Sequence, residues 1–537
     1  MLIKLTKYLN NYALIKKYIK HNYYHFKNNK NAENIFLVEF NGWQAMHIAF
    51  SYLANFFLEK KNCNIVPFES YNLFRREKLG VSDELKWNLG KFFKIKNFGV
   101  YYSFGAGKFL EVEYNDFVIK RSHHQVKYFY SKRVNLKNLE NLRVENIWIG
   151  DLIYDSYLKK FSKITVDMDS ELFKVFFLEC LKNFYFWFDY FNKKSVKGIV
   201  VGHSVYISAI PLRIANFNKI LNFNFSEMTI VNCSNTISYK KKQNSSDIHF
   251  RYFRKIFKKF KKSEIQKYLD QGKSYLNKII KGEIKYSYMK KTSFSKKIYN
   301  LDKSSYKKKI KVAIYSHQFS DSPHVLGNHF FPDFFEWFKF LEIIIKKTDY
   351  EWYIKCHPNQ DEITKKTIQE FVKRNPNINL LGKSISNFCL VQKKIDFALT
   401  VFGTVASELP FFGIKVINAS RNNPHYDYNF CINPKNVSEY KAILMNLSAN
   451  KFKINIKDLY EYHYMKQNYQ LQTNNSIFFN SQDYLKYVKE IRRPIYWTNE
   501  CYRIWLNNFS EQQHKRIKVM IEKFIGSNSY MIMPISK

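Results

Sequence analysis

The sequence predicts an α/β protein with two parallel-sheet domains facing a cleft, helical insertions and a helical C-terminal tail. Three observations predict it. From residue 310 onward, apolar runs of strand length alternate with amphipathic runs of helix length. A less regular version of this alternation occupies residues 30–235. The chain has 537 residues, too many for one ordinary core, and its 46% hydrophobic content, with 50 Phe and 40 Tyr, can fill two.

In the first half, "NIFLVEFNGW" (34–43) is an apolar run that ends at Gly42, a strand turning into a helix near Gln44. "NCNIVPF" (62–68) reads as the next strand. "KGIVVGHSVY" (197–206) reads as another, followed by a helix through "ISAIPLRIANF", and "EMTIVNC" (227–233) as a further strand. Between 238 and 311 the chain turns Lys-, Ser- and Tyr-rich with little strand signal. There "HFRYFRKIFKKFKK" (249–262) spaces Phe250, Phe253, Phe257 and Phe260 along one helix face and puts basic residues opposite. Such a helix either lies on an anionic membrane or packs on its own protein with the lysines solvated.

The second half is more regular. Strands are expected at 310–316, 350–356, 377–381, 395–400 and 414–419, and helices at 332–348, 361–375, 385–392 and 404–413. This rhythm predicts a Rossmann-like parallel sheet covered by helices. The domains read as a helical extension (1–30), a first α/β domain (31–305) with a basic helical insert (238–305), a second domain (306–435) and a helical C-terminal region (436–537). One helix of the last is expected to cross back to the first domain.

Composition restricts function. The 87 Lys and Arg against 45 Asp and Glu leave a charge of +42, which suits an anionic partner. Abundant Lys, Asn, Ile, Phe and Tyr with only 16 Gly and 11 Pro also fit a compositional bias that needs no ligand. Seven scattered cysteines form no CxxC pair and suit a reducing compartment. The N-terminus lacks a signal-type apolar core, and the aromatic run "FYFWFDYF" (184–191) is too short to span a bilayer. No GxGxxG or P-loop motif occurs, which argues against classical dinucleotide and P-loop chemistry. These points place the protein in the cytoplasm, with the inner face of the cytoplasmic membrane as the location offered by the basic helix.

Ligands of parallel sheets bind beyond the carboxyl ends of the strands. Three segments fall there: "SHQFSDSPH" (316–324), "KCHPNQDE" (355–362) and "TVFGTVASE" (400–408). The first should turn Ser316, His317, Asp321 and His324 toward the cleft. In the second, His357 can donate to a phosphate or a nucleotide sugar, and Pro358 restricts its backbone. In the third, Gly403 allows close backbone approach and Thr404 opens a helix whose free N–H groups favour an anion. Glu408 could accept from ribose hydroxyls. The plainer alternative makes Thr404 an N-cap and Glu408 part of a solvated face.

"WYIKCHPNQ" followed some forty residues later by "DFALTVFGTVASELPFFGIKVINA" resembles bacterial capsule and surface-polysaccharide glycosyltransferases of GT-B architecture. These include Kdo- and sialyltransferase-like enzymes with a His-Pro motif. "VAIYSHQFSDSPHVLGNHFFPDFFEW" (312–337) looks like the opening of their donor domain, and the resemblance spans about 310–430. It implies a nucleotide-sugar donor in the second domain and a glycan or lipid-linked glycan acceptor in the first. It also implies no metal and no cofactor. His357 would hold the donor phosphate or nucleotide, Thr404 the phosphate and Glu408 the ribose. Lys355 is a candidate cation if it faces the cleft. Gly403-Thr404 stands where these enzymes carry a paired Ser-Ser/Thr signature, so the donor is read as CMP- or UDP-linked. The base would come from Asp155, Glu39 or His203 of the first domain, or from Asp321 or His324 of the second. Competing readings are a CDP-glycerol-type polymer phosphotransferase and a basic nucleic-acid-binding protein, the latter without any recognition module.

Overall fold

The computed structural model describes residues 2–26, 32–69, 81–226, 229–235, 237–238, 243–244, 250–283, 294, 309–357, 360–382, 385–469, 478 and 498–532. Most of the 284–308 stretch of the insert, most of 470–497 in the tail, and Pro358 lie outside them.

Two five-stranded sheets organise the chain. In the first, β1 (Asn34–Glu39), β2 (Cys63–Phe68), β3 (Val196–Val201), β4 (Leu221–Ser226) and β5 (Thr229–Asn232) run in the order β2-β1-β3-β4-β5. The first four are parallel and β5 is antiparallel at the edge. In the second, β6 (Lys311–Tyr315), β7 (Glu351–Lys355), β8 (Ile378–Leu381), β9 (Phe397–Thr400) and β10 (Lys415–Asn418) run β8-β7-β6-β9-β10 and are all parallel. Both are Rossmann-like, and together they form a GT-B fold. The expected 227–233 strand is the short antiparallel β5. Its partner β4, "LNFNFS", replaces a stretch for which the sequence suggested no strand.

Parallel strands must be apolar on both faces because helices cover both. In β6, Val312 and Ile314 face one core, while Ala313 and Tyr315 face the other. The Phe334–Lys347 and Glu362–Arg374 helices supply Trp337, Leu341 and Phe371 to the first core. Across the sheet lie Phe253, Phe257 and Leu276 from the Phe250–Phe257 and Lys262–Ile280 helices. The basic helix therefore turns its described phenylalanines into the protein. Phe253 and Phe257 are buried, Phe260 is half-buried, and Lys258, Lys259, Lys261 and Lys262 stay exposed. The sequence places these helices with the first domain; the structure packs them on the second. Arg254 pairs both guanidinium NH2 groups with Asp458 (3.0 and 3.1 Å). Gly272 lets the Lys262–Ile280 helix meet the Ile456–His463 helix backbone to backbone: a Cβ there would lie 2.0 Å from the Tyr460 carbonyl oxygen.

The C-terminal chain crosses back to the first sheet. The Glu500–Asn508 and Glu511–Gly526 helices pack over the Gln44–Lys60 helix. His47 Nδ1 lies 2.5 Å from Tyr502 Oη, and Tyr52 Oη lies 2.8 Å from His514 Nδ1. Asn232 N–H donates to the Tyr530 carbonyl (2.9 Å), so the last described residues extend the β5 edge. Among the described residues no helix is long and apolar enough to cross a membrane.

The docking of the insert is testable. Gly272→Ala should lower stability by ~1–3 kcal/mol in urea unfolding, since the clash is with backbone, although alanine favours an isolated helix. Unchanged or raised stability would show that this helix does not dock on the second domain.

Candidate active site

The strand order places β6 beside β9, the switch point at which their outgoing connections part to opposite sides. Ser316, just after β6, joins it to β7: its Oγ accepts from His357 N–H (3.1 Å) and donates to the Lys355 carbonyl (3.2 Å). His317 spans the switch. Its Nε2 accepts from Val401 N–H (3.2 Å) and lies 3.1 Å from Thr400 Oγ1, which puts the ring proton on Nδ1. The ring stacks on Phe334 with centroids 4.5 Å apart. Burial, reinforced by neighbouring His357, pushes its pKa down to about 3, so His317 is a neutral donor through Nδ1. His357 is half-buried, and burial also holds it below the usual imidazole range.

Beyond β9, Gly403 N–H donates to Thr400 Oγ1 (3.0 Å), and a Cβ on Gly403 would stand 2.7 Å from that oxygen. The helix expected over 404–413 is instead two four-residue 3₁₀ turns, Thr404–Ser407 and Leu409–Phe412, with Glu408 between them. Pro410 lacks the N–H that a continuing helix needs. So short a turn aligns few peptide dipoles and gives Thr404 little helix-dipole attraction for a phosphate.

Glu408 is only 1% exposed, so as the edge stands it cannot meet a ribose. Burial lifts its pKa to about 7, against the pull of Thr404, Lys466 and Lys355. Lys355 is also buried and does not face the cleft. Its ammonium donates to the Ile385 carbonyl (2.6 Å), and burial pushes its pKa down to about 8.

Opposite lies the loop after β3. Tyr206 has φ 60° and ψ 175°, a backbone region adopted almost only by glycine. Its hydroxyl donates to Asp321 (2.7 Å) and accepts from Ser322 Oγ (2.5 Å). Lys159 also donates to Asp321 (2.9 Å), so two residues of the first domain hold this carboxylate of the second in the cleft. Sequence reasoning missed Tyr206; its strained backbone has no signature in residue type. Glu39 is buried and accepts from Gly202 N–H (2.5 Å), while His203 is exposed beside Trp43.

Two expected cleft residues are elsewhere. His324 and Asp155 meet in a buried joint between the domains. Asp155 Oδ1 lies 2.5 Å from His324 Nδ1, and its Oδ2 accepts from His324 N–H (3.1 Å). Glu140 approaches Nε2 at 3.5 Å. His324 and Asp155 are 1% and 2% exposed, so this pair holds the domains together and does not reach substrate. Beside it, the Tyr154 hydroxyl donates to Asp333, and Arg213 pairs with Asp151 (2.6 Å). Burial disfavours a charge on His324, but the two carboxylates prevail and raise its pKa to about 10.

The structure thus gathers Ser316, His317, Lys355, His357, Gly403, Thr404 and Glu408 along one sheet edge, keeps Asp321 in the cleft, and withdraws His324 and Asp155 into the joint. Among the described residues no group of three or more His, Cys, Asp or Glu side chains could hold a metal ion.

No protein-family model and no curated protein sequence matches the chain. Among solved structures it is similar to KpsC, a beta Kdo 2,4 transferase of Thermosulfurimonas dismutans, with 12% identity over 50% of this chain and 79% of that one, and a TM-score of 0.33. It is also similar to Acinetobacter baumannii MurG, with 8% identity over 86% and 100% of the two chains and a TM-score of 0.25. A third is the Methanocaldococcus jannaschii UDP-GlcNAc 2-epimerase in complex with UDP-GlcNAc and UDP, with 10% identity over 81% and 99% and a TM-score of 0.24. Likeness at this level assigns no activity.

Because the folded pKa of His324 is raised from 6.5 to about 10, its contribution to stability is complete below pH 6.5 and is lost as pH rises through 10. Wild-type stability should fall across that window, and His324→Gln should flatten the fall. Asp155→Asn should cost ~3–5 kcal/mol at neutral pH, as for a broken buried ion pair. Identical pH profiles for wild type and His324→Gln would refute a charged histidine in the joint.

Proposed function

We propose that the protein is a glycosyltransferase that moves a sugar from a nucleotide-linked donor at the second domain to a glycan acceptor at the first. The wider process would be assembly of a capsule or other surface polysaccharide. One observation carries this reading: His317, His357 and Thr404 converge at the switch point of a parallel sheet, across a cleft from the outgoing loop of a second such sheet. The sequence resemblance over 310–430 supports it.

On this reading His317 Nδ1–H, His357 and the Thr404 hydroxyl hold the nucleotide and its phosphate. Glu408, buried and acted on by Thr404, works through it as a positioning residue. Lys466, whose charge acts on Glu408, His425 and His463, supplies positive potential at this edge without a protein-bound metal or cofactor. In the transfer, an acceptor hydroxyl oxygen bonds to the anomeric carbon. The bond from that carbon to the phosphate oxygen breaks, and the nucleotide leaves with the electron pair. Asp321 takes the hydroxyl proton, being the carboxylate that stays exposed in the cleft. The work is cytoplasmic on this reading.

A thermal-shift screen against CMP, CDP, UDP and GDP tests donor binding, since a ligand at about 100 times its Kd adds ~2.7 kcal/mol of stability. One of the four should stabilise the protein, and His317→Ala and His357→Ala should each weaken it by ~1–3 kcal/mol. No stabilisation by any of them would contradict the donor site.

Asp321→Asn should retain nucleotide affinity yet turn over at least ~100-fold more slowly. Near-normal turnover would move the base to Glu39 or His203.

A further inference from the structure

A groove lies between the Asp116–Tyr130 and Glu171–Lys193 helices of the first domain, outside the cleft. Its volume is about 600 Å³, within the range of small-ligand sites. Phe117, Arg121, His124 and Tyr128 line one wall at i, i+4, i+7 and i+11, one face of a helix. Phe117 and Tyr128 are 58% and 52% exposed, so two large rings stand in solvent at the ends of one stripe. The other wall carries Tyr185, from the aromatic run noted in the sequence, and Glu145.

Arg121 forms the floor. Its guanidinium carbon lies 4.3 Å from the centroid of the Tyr185 ring and 5.3 Å from that of Phe117. One NH2 group donates to Asp189 (3.0 Å) and the other to Glu145 (2.9 Å). Arg121 itself is balanced by two carboxylates, with Lys120 and His124 as the other basic groups of the lining, so the groove is not a concentrated anion site. It offers donors and acceptors side by side, next to aromatic faces. A pyranose fits that combination: its axial C–H face lies on a ring, and its hydroxyls both donate and accept.

We infer that this groove binds an oligosaccharide and anchors the glycan away from the cleft. Its use in glycan growth rests on the transferase reading; the binding itself does not. The hairpin bearing Glu145 leads directly into the Gly150–Phe161 helix, which carries Lys159 of the cleft. One glycan chain could therefore follow this wall from groove to cleft.

The test is saturation-transfer NMR on the full chain with a neutral probe, maltoheptaose, and an acidic one, oligogalacturonate of similar length. Stacking on C–H faces tolerates different sugars, so at least one should bind. Replacing both Phe117 and Tyr128 by Ala should weaken that binding by about tenfold or more, as for truncated aromatic anchors. Phe117→Tyr with Tyr128→Phe should restore it. Both rings are exposed, so the double alanine variant should keep the wild-type unfolding midpoint and any nucleotide-induced shift. Three results would overturn the inference: binding of neither probe, equal binding by the double alanine variant, or capture of phosphatidylglycerol vesicles that depends on the two rings. If an oligosaccharide binds but no nucleotide stabilises the protein, the groove stands and the donor reading fails.

Discussion

A parallel sheet must be covered on both faces, and the rest of this structure follows from that requirement. Its strands carry apolar side chains to both sides, so each sheet leaves only its edges and ends open. To cover them, the chain brings helices from far along the sequence. Phe253 and Phe257 reach the second sheet from before it begins, and the helices after residue 500 return to the first. What remains free is the carboxyl end of each sheet, where backbone groups and polar side chains can meet a ligand.

The two open ends are held face to face by polar contacts of different kinds. In the joint, His324 sits between Asp155 and Glu140 out of water, where breaking one partner leaves a buried charge. In the cleft, Asp321 is shared by Lys159 and Tyr206 in reach of solvent, where ion pairs are weak. The joint is therefore suited to fix the domains, and the cleft to exchange partners. The strained backbone of Tyr206 belongs with the second role, since it aims a hydroxyl across the gap.

The second sheet was legible in the sequence because its apolar runs are short, evenly spaced and bounded by polar loops. Ser316, His317, His357 and Thr404 could be gathered from strand order alone. Strand β4 was not legible: Asn222 and Asn224 interrupt its apolar pattern, yet both are buried. The 404–413 segment looked helical by composition, but Pro410 and tertiary packing broke it into two tight turns. His324 and Asp155 looked catalytic because residue type carries no record of burial, and their pairing joins positions 169 residues apart. Lys355 and Glu408 misled for the same reason. The aromatic run 184–191 reads in the sequence only as too short to span a bilayer, and its part in the Arg121 groove needs the neighbouring helix to be seen.

The central claim is that a nucleotide binds at the carboxyl end of the second sheet. Amide hydrogen exchange with and without the stabilising nucleotide tests it most directly. Added protection should appear in 316–320 and 400–408, the loops that meet at His317, with the 117–128 helix unchanged. Protection confined to the first domain, with these two loops exchanging as in the free protein, would contradict the account.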